Sequence, residues 1–301
     1  MRRRRGLRVG LALVALLGAI LAVEARYYRG ASRACHPPRM AIGAEEKAAA
    51  RARLPGLEDV AFTTADGLVL RGFYLPAENG ATVILGHGLG DNRMHFLPDV
   101  EMLARHGYGA LFFDWRGHGE SDGEGSTWSD REQMDLRAAV DFVARRPDVQ
   151  EGRIAALGFS IGASTVALEA ATDPRVRAVV LEAVYTSLDD EVAVKWGGRG
   201  FVSRCPARIA LKREGLHFSH IRPIDHVAEI APRPILAIAG SDDLDTPVAV
   251  VARVYDAATQ PKRMWIAQGA GHGEYEKAAP AEFERELIAF LDSAFLVQSA
   301  H

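Results

Sequence analysis

Apolar residues run from Val9 to Val23 without a single polar side chain, and no later segment of the chain repeats that pattern. Beyond it, short apolar runs bounded by turn residues alternate with stretches of helical period. Glu58–Thr63 and Leu68–Leu75 flank Asp66-Gly67, which predicts a hairpin. Thr82–Leu85, Tyr108–Phe113, Arg153–Leu157, Ala178–Leu181, Pro234–Ala239 and Arg263–Ile266 read as six further short strands. Ser129-Asp130-Arg131-Glu132 reads as a capping box opening a helix through Arg146, with Leu136, Ala139, Val140 and Val143 as its apolar face. Ala163–Ala171 favours a helix, and Ala281–Leu296 closes the chain with Phe283, Leu287, Ile288, Phe290, Leu291 and Phe295 mostly on one side. Strands separated by helices predict an α/β fold: a mostly parallel, doubly wound sheet of about eight strands with helices on both faces. In such sheets the chemistry sits beyond the carboxyl ends of the strands.

The N-terminal run is preceded by Arg2 to Arg5 and Arg8, the order of charge and then apolar core that marks a secretory signal or signal anchor. Val23-Glu24-Ala25 is only a passable cleavage site, and Tyr27 and Tyr28 suit the headgroup level of a bilayer, so residues 1–30 read as an uncleaved anchor rather than a cleaved signal. Arginines also follow the run (Arg26, Arg29, Arg33, Arg39), but the larger group lies before it and puts the N-terminus on the cytoplasmic side. The body, residues 31–301, is then expected on the extracytoplasmic side, or secreted if the segment is cleaved. In that oxidising setting Cys35 and Cys205 either pair or stand as unrelated thiols.

Charge changes the choice of partner. The formal net charge of −3 hides +6 in residues 1–30, which leaves −9 for the rest. So acidic a body argues against a nucleic-acid partner. Two cysteines build neither a disulfide scaffold nor a four-thiolate zinc site.

The chemistry converges on Ser160. Gly158-Phe159-Ser160-Ile161-Gly162 follows a strand and precedes a helix, the context in which G-x-S-x-G forms a sharp turn that presents the serine. A serine hydroxyl needs a base, and the base an orienting carboxylate, in the order Ser, Asp, His on such a sheet. The loop Gly240–Pro247 offers Asp242, Asp243 and Asp245. His272, flanked by Gly271 and Gly273, follows the last strand, and the only histidine beyond it is the terminal His301. Backbone N–H groups of Leu89, in His87-Gly88-Leu89-Gly90, and of Ile161, next to the serine, are the candidate oxyanion donors.

These motifs, with Asp114-Trp115-Arg116-Gly117-His118-Gly119-Glu120-Ser121 between them, resemble the α/β-hydrolase superfamily over roughly residues 55–296, in the group of serine aminopeptidase-like and monoacylglycerol-lipase-like hydrolases. The resemblance selects Asp243 as the acid, three residues after the strand-ending glycine. It implies acyl hydrolysis with neither metal nor organic cofactor. Asp114 and the Arg116–Ser121 loop are expected to be structural, and His118 is excluded as the base because it precedes the acid. His217, His220, Asp225 and His226 fit no zinc spacing and read as surface side chains. Residues about 185–231 read as a short helical cap. Lys195, Arg199, Arg204, Arg208, Lys212 and Arg213 lie there with no acid among them, either a solvated face or a surface for anionic lipid or an acidic substrate. The expected protein is a membrane-anchored serine hydrolase of carboxylic esters, with a small-molecule or lipid-like acyl substrate. Peptidase, amidase and acyltransferase chemistry on the same three residues are the alternatives, and a pure binding module has no use for Asp243 and His272.

Overall fold

The computed structural model describes residues 2–296, with side chains for 10–295; the terminal His301 lies outside the described residues. Eight strands form one sheet in the order β1-β2-β4-β3-β5-β6-β7-β8. They are β1 (Glu58–Thr63), β2 (Val69–Leu75), β3 (Thr82–Gly86), β4 (Gly109–Phe113), β5 (Ile154–Phe159), β6 (Val176–Glu182), β7 (Ile235–Gly240) and β8 (Lys262–Ala267). The β1–β2 hairpin and the β2–β4 pair are antiparallel; every other pairing is parallel. Each strand anticipated from the sequence is present, within one or two residues at its ends.

Period-two alternation sends successive side chains to opposite faces of the sheet. In β5, Ala155, Leu157 and Phe159 join the core under α3 (Leu97–Arg105) and α11 (Pro280–Leu296), while Ile154 and Ala156 join the core on the other face. That second face is covered by α4 (Glu132–Val143), α5 (Ile161–Thr172) and α9 (Val248–Ala257). Two covered faces explain why the parallel strands are apolar throughout rather than alternating.

One sequence expectation is corrected. Helix α4 starts at Glu132 with Arg131 as its N-cap and ends at Val143 rather than Arg146. Ser129 does not cap it: the Ser129 hydroxyl donates to the Ile161 carbonyl (2.9 Å), and Thr127 and Ser126 take the Glu132 carboxylate instead. Half of the capping box survives, since the Ser129 N–H still donates to Glu132 (3.0 Å). Helix α1 (Arg2–Cys35) is continuous through the expected boundary at residue 30, and Ala31 and Cys35 near its end are buried.

Between β6 and β7 lie α6 (Leu188–Trp196), α7 (Phe201–Arg213) and a single turn α8 (Pro223–His226). Helices α6 and α7 form a third core with the end of α1: Ala31, Cys35, Leu188, Val192, Ala207, Ala210 and Leu211 pack with Trp128, Tyr185 and Ile161. Cys35 and Cys205 are both free thiols, so of the two expectations the unpaired one describes the structure.

Candidate active site

Ser160 occupies the turn between β5 and α5 at φ 54°, ψ −113°, a conformation costly for a residue with a Cβ, by about 1–3 kcal/mol. The turn is locked by close backbone approach. A Cβ on Gly158 would lie 2.3 Å from Gly162, and one on Gly162 would lie 2.0 Å from the Gly86 carbonyl oxygen. The Ser160 N–H donates to the Glu182 carbonyl (2.9 Å), tying the turn to the end of β6. Ile161 is the first residue of α5, so its N–H has no acceptor within the helix and is free to point outward.

Asp243 and His272 come from the ends of β7 and β8. His272 Nδ1 lies 2.8 Å from Asp243 Oδ2, and Asp243 is buried. The other carboxylate oxygen, Oδ1, accepts the N–H groups of Asp245 (2.9 Å) and Thr246 (2.7 Å), which fixes the acid toward the imidazole. Asp242 is exposed and takes the Ser241 hydroxyl; Asp245 is exposed and lies 4.0 Å from Lys195. Of the three acids in this loop, Asp243 is the one that meets the histidine. The ring of His272 packs on Phe159, the residue before the serine, at 4.6 Å between centroids, and Phe159 stacks in turn on His95.

The Leu89 loop lies against the same turn: a Cβ on Gly88 would stand 3.7 Å from the Ser160 Cβ. Two buried histidines that the sequence reading left without a role hold this loop. His118 shares its Nδ1 proton with the Arg116 carbonyl (2.9 Å), which leaves Nε2 to accept the Gly90 N–H (3.1 Å). His87 binds the Gly88 carbonyl through Nδ1 (2.7 Å), and its Nε2 accepts the Trp115 N–H (3.2 Å). Burial lowers both imidazoles, and with His118 beside it His87 is pushed down to about 3, so both act as neutral struts. A signal was present in the sequence, because each histidine sits beside a glycine in a loop at a strand end.

The Asp114–Ser121 turn is structural, as expected. Asp114 pairs with the buried Arg93 guanidinium and accepts the Arg93 and Glu120 N–H groups (2.8 and 2.9 Å). Arg116 makes ion pairs with Asp135 (2.6 Å) and Asp66 (2.9 Å). Burial opposes its charge, but those two carboxylates outweigh it and the guanidinium holds its proton more tightly than a free arginine.

Behind His272 a small cavity of about 160 Å³ is lined by His95, Asp99, Glu182, Gly273 and Tyr275. Among the described residues, Glu182 Oε1 and the Tyr275 hydroxyl are buried there with no hydrogen-bond partner. Burial, with Asp99 adding to it, raises the Glu182 carboxyl well above the usual range; burial pushes Asp99 up to about 7. A carboxyl whose folded pKa is raised keeps its proton in the native state while the unfolded chain, at about 4.3, has lost it. Stability therefore falls as pH rises from about 4 toward the folded pKa. Glu182→Gln is expected to flatten that fall, raising Tm at pH 8 more than at pH 5 in thermal unfolding scans.

On α6, buried Glu191 pairs with Lys195 (3.2 Å), and its carboxyl is likewise raised by burial against the opposing Lys195 and His272 charges. Among the described residues one group places three potential metal ligands within 4.8 Å of one another: Asp130, His217 and His220. Asp130 had not been linked to the two histidines. Asp225 and His226 pair instead with Arg222 and Glu229, as surface residues do. A cavity of about 780 Å³ between Arg53, Pro76, Glu101 and Tyr108 opens at the amino end of β4, at the opposite end of the parallel strands from Ser160.

Comparison with known proteins agrees with this architecture. The family described as serine aminopeptidase, S33, matches residues 77–223. An uncharacterised protein of Mycobacterium tuberculosis, Rv2307c, is 34% identical over 233 residues, covering 74% of this chain and 75% of that one. The esterase Pf2001 of Pyrococcus furiosus superposes with a TM-score of 0.71 at 26% identity, over 86% of this chain and 98% of the esterase. The polyketide transferase grgF of a Penicillium species is 38% identical over 126 residues, 40% of this chain and 43% of that one. The chain belongs to the α/β-hydrolase superfamily, and its family and fold make it an esterase-like hydrolase.

Proposed function

We propose that this protein is a membrane-anchored serine hydrolase that cleaves a carboxylic ester through an acyl-enzyme. The observation that carries the reading is the Asp243–His272 hydrogen bond of 2.8 Å, made by a ring that packs on Phe159, the residue before a serine held on a strained, glycine-walled turn. In this mechanism Ser160 Oγ attacks the substrate carbonyl carbon as its proton passes to His272 Nε2. Asp243 holds the tautomer that leaves Nε2 free and stabilises the imidazolium. The carbonyl oxygen becomes an oxyanion that accepts hydrogen bonds from the Leu89 and Ile161 N–H groups. Collapse expels the alcohol, which takes its proton from His272. Water then attacks the acyl-serine by the same steps in reverse, releasing the acid and restoring Ser160. No metal or organic cofactor enters.

The anchor reading rests on α1, whose Gly10–Cys35 segment has a mean hydropathy of 1.7 over its most apolar window and carries its apolar side chains in the open as far as Ala22. A second reading, acyl transfer to an alcohol or amine in place of water, is favoured by the likeness to grgF, named a polyketide transferase. A fluorophosphonate probe is expected to label the full-length protein at Ser160, and p-nitrophenyl esters of increasing chain length to be hydrolysed. Absence of labelling on folded protein would overturn the serine assignment. Ester products formed on added alcohol, in preference to free acid, would establish transfer.

A further inference from the structure

We infer that the tip of the cap, Gly197–Val202, is wedged into the same bilayer leaflet that α1 enters, so that the site draws an acyl substrate from an anionic lipid surface; this rests on the anchored reading above. Ser32 and His36, at the end of α1, both bind Glu214 at the end of α7, and Arg213 lies over the Tyr28 ring. The two helices pack along each other with these ends together, so they run in parallel. Thirteen residues of helix carry α7 back about 18 Å. That brings Phe201 level with the end of the apolar run near Val23. There the environment of α1 changes: Gly10–Ala22 projects into the open, whereas packing begins at Val23.

The cap tip carries the side chains an interface would select. Phe201 is 80% exposed and Val202, next to it, is exposed as well; Val194 on α6 is a further exposed apolar residue of the cap. Arg199 and Arg204 stand next to them, exposed and, among the described residues, not paired with any acid. Apolar residues ringed by arginine are the composition of a surface that dips below anionic headgroups. The glycines of Gly197-Gly198-Arg199-Gly200 leave the turn slim enough to enter. The apolar run itself spans only about 22 Å, against about 30 Å of hydrocarbon. A wedge at its outer end is where the shortfall would be made up. The same cap packs directly on Ile161 and Leu89, so its seating on the membrane and the shape of the acyl site are linked.

The test uses full-length protein in vesicles of phosphatidylcholine and phosphatidylglycerol in equal parts, with Cys205→Ser removing the partly exposed thiol. A fluorophore is placed in turn at Phe201→Cys, Leu16→Cys and Leu244→Cys, and lipids spin-labelled near the headgroup serve as quenchers. Quenching at 201 and 16 but not at 244, which is 89% exposed on the Asp243 loop, is the expected result. Quenching at 16 without quenching at 201 overturns the wedge and leaves the anchor standing; no quenching at 16 overturns the anchored reading itself. Protection of 201 that comes with label-to-label proximity instead assigns the tip to a second copy of this chain and also overturns the wedge. In parallel, the double variant Phe201→Asp, Val202→Asp is expected to lower turnover of an ester embedded in the vesicles by about tenfold, while hydrolysis of a soluble short ester is unchanged. Equal effects on the two substrates would refute the link to substrate supply.

Discussion

Ser160→Ala is expected to reduce ester turnover by a factor of about 10⁴–10⁶ while the protein remains folded. The size follows from what the substitution removes. Without Oγ there is no covalent intermediate, and the Leu89 and Ile161 donors are left to stabilise only direct attack by water, which is the residual catalysis such sites retain. The fold should survive because nothing else depends on the hydroxyl. The turn is fixed by backbone contacts at Gly158 and Gly162 and by the Ser160 N–H to Glu182, all of which an alanine keeps. Alanine also carries the same Cβ into the same strained φ, so the strain neither grows nor is relieved. Circular dichroism and Tm should match wild type within a degree or two, and kcat for a p-nitrophenyl ester should fall to near background. Turnover within tenfold of wild type in pure variant would move the nucleophile elsewhere. Asp243→Asn offers a graded companion. It keeps the packing but favours the wrong imidazole tautomer, and a loss of about 10⁴ is expected.

The site was readable from the sequence where its parts are local and unreadable where they depend on tertiary contact. Gly158 and Gly162 announce the serine turn because backbone crowding there admits no side chain, a constraint written into five consecutive residues. Asp243 and His272 could be placed because each sits a few residues beyond the end of a strand, and the sheet order then brings the ends of β7 and β8 side by side. Local pattern misjudged Ser129. Its spacing to Glu132 fits a capping box, yet the carbonyl of Ile161 competes for the hydroxyl and wins, leaving Trp128 and Ser129 at positive φ. Glu182 and Asp99 gave no signal at all, since a glutamate ending an apolar strand looks like a turn toward solvent. Only packing shows that both carboxyls are enclosed. The two loop histidines, His87 and His118, were visible as residues, but their work is to hold backbone carbonyls and amides, and no spacing rule encodes that.

The junction between anchor and body makes the second large prediction. The apolar run ends at Val23, and from there α1 begins to pack on the body, with Ala31 and Cys35 fully enclosed. Ala31 and Cys35 are buried among Ala207, Ala210, Trp128 and Ile161. The Cys35 carbonyl accepts the Ser126 N–H (2.8 Å) and sits where a Cβ on Gly125 would be, 2.1 Å away, so the 123–129 loop is moulded on this helix end. Removing residues 1–22 takes away only the projecting apolar stretch and should leave Tm within a few degrees of the full chain measured in detergent. Removing residues 1–36 uncovers the cap core, orphans the Ser126 donor and frees Glu214 of both its partners. Loss of this burial is expected to cost about 3–5 kcal/mol. For a domain of this size that is a fall in Tm of about 10 °C. Ester hydrolysis should fall with it, because Ile161 and Leu89 belong to the same core and the oxyanion donors lose the packing that aims them. Differential scanning fluorimetry of the two truncations, run beside p-nitrophenyl acetate kinetics, separates the outcomes. Equal Tm and activity for both would mean that the end of α1 is only a tether; a stable but inactive longer truncation would assign it to shaping the site alone.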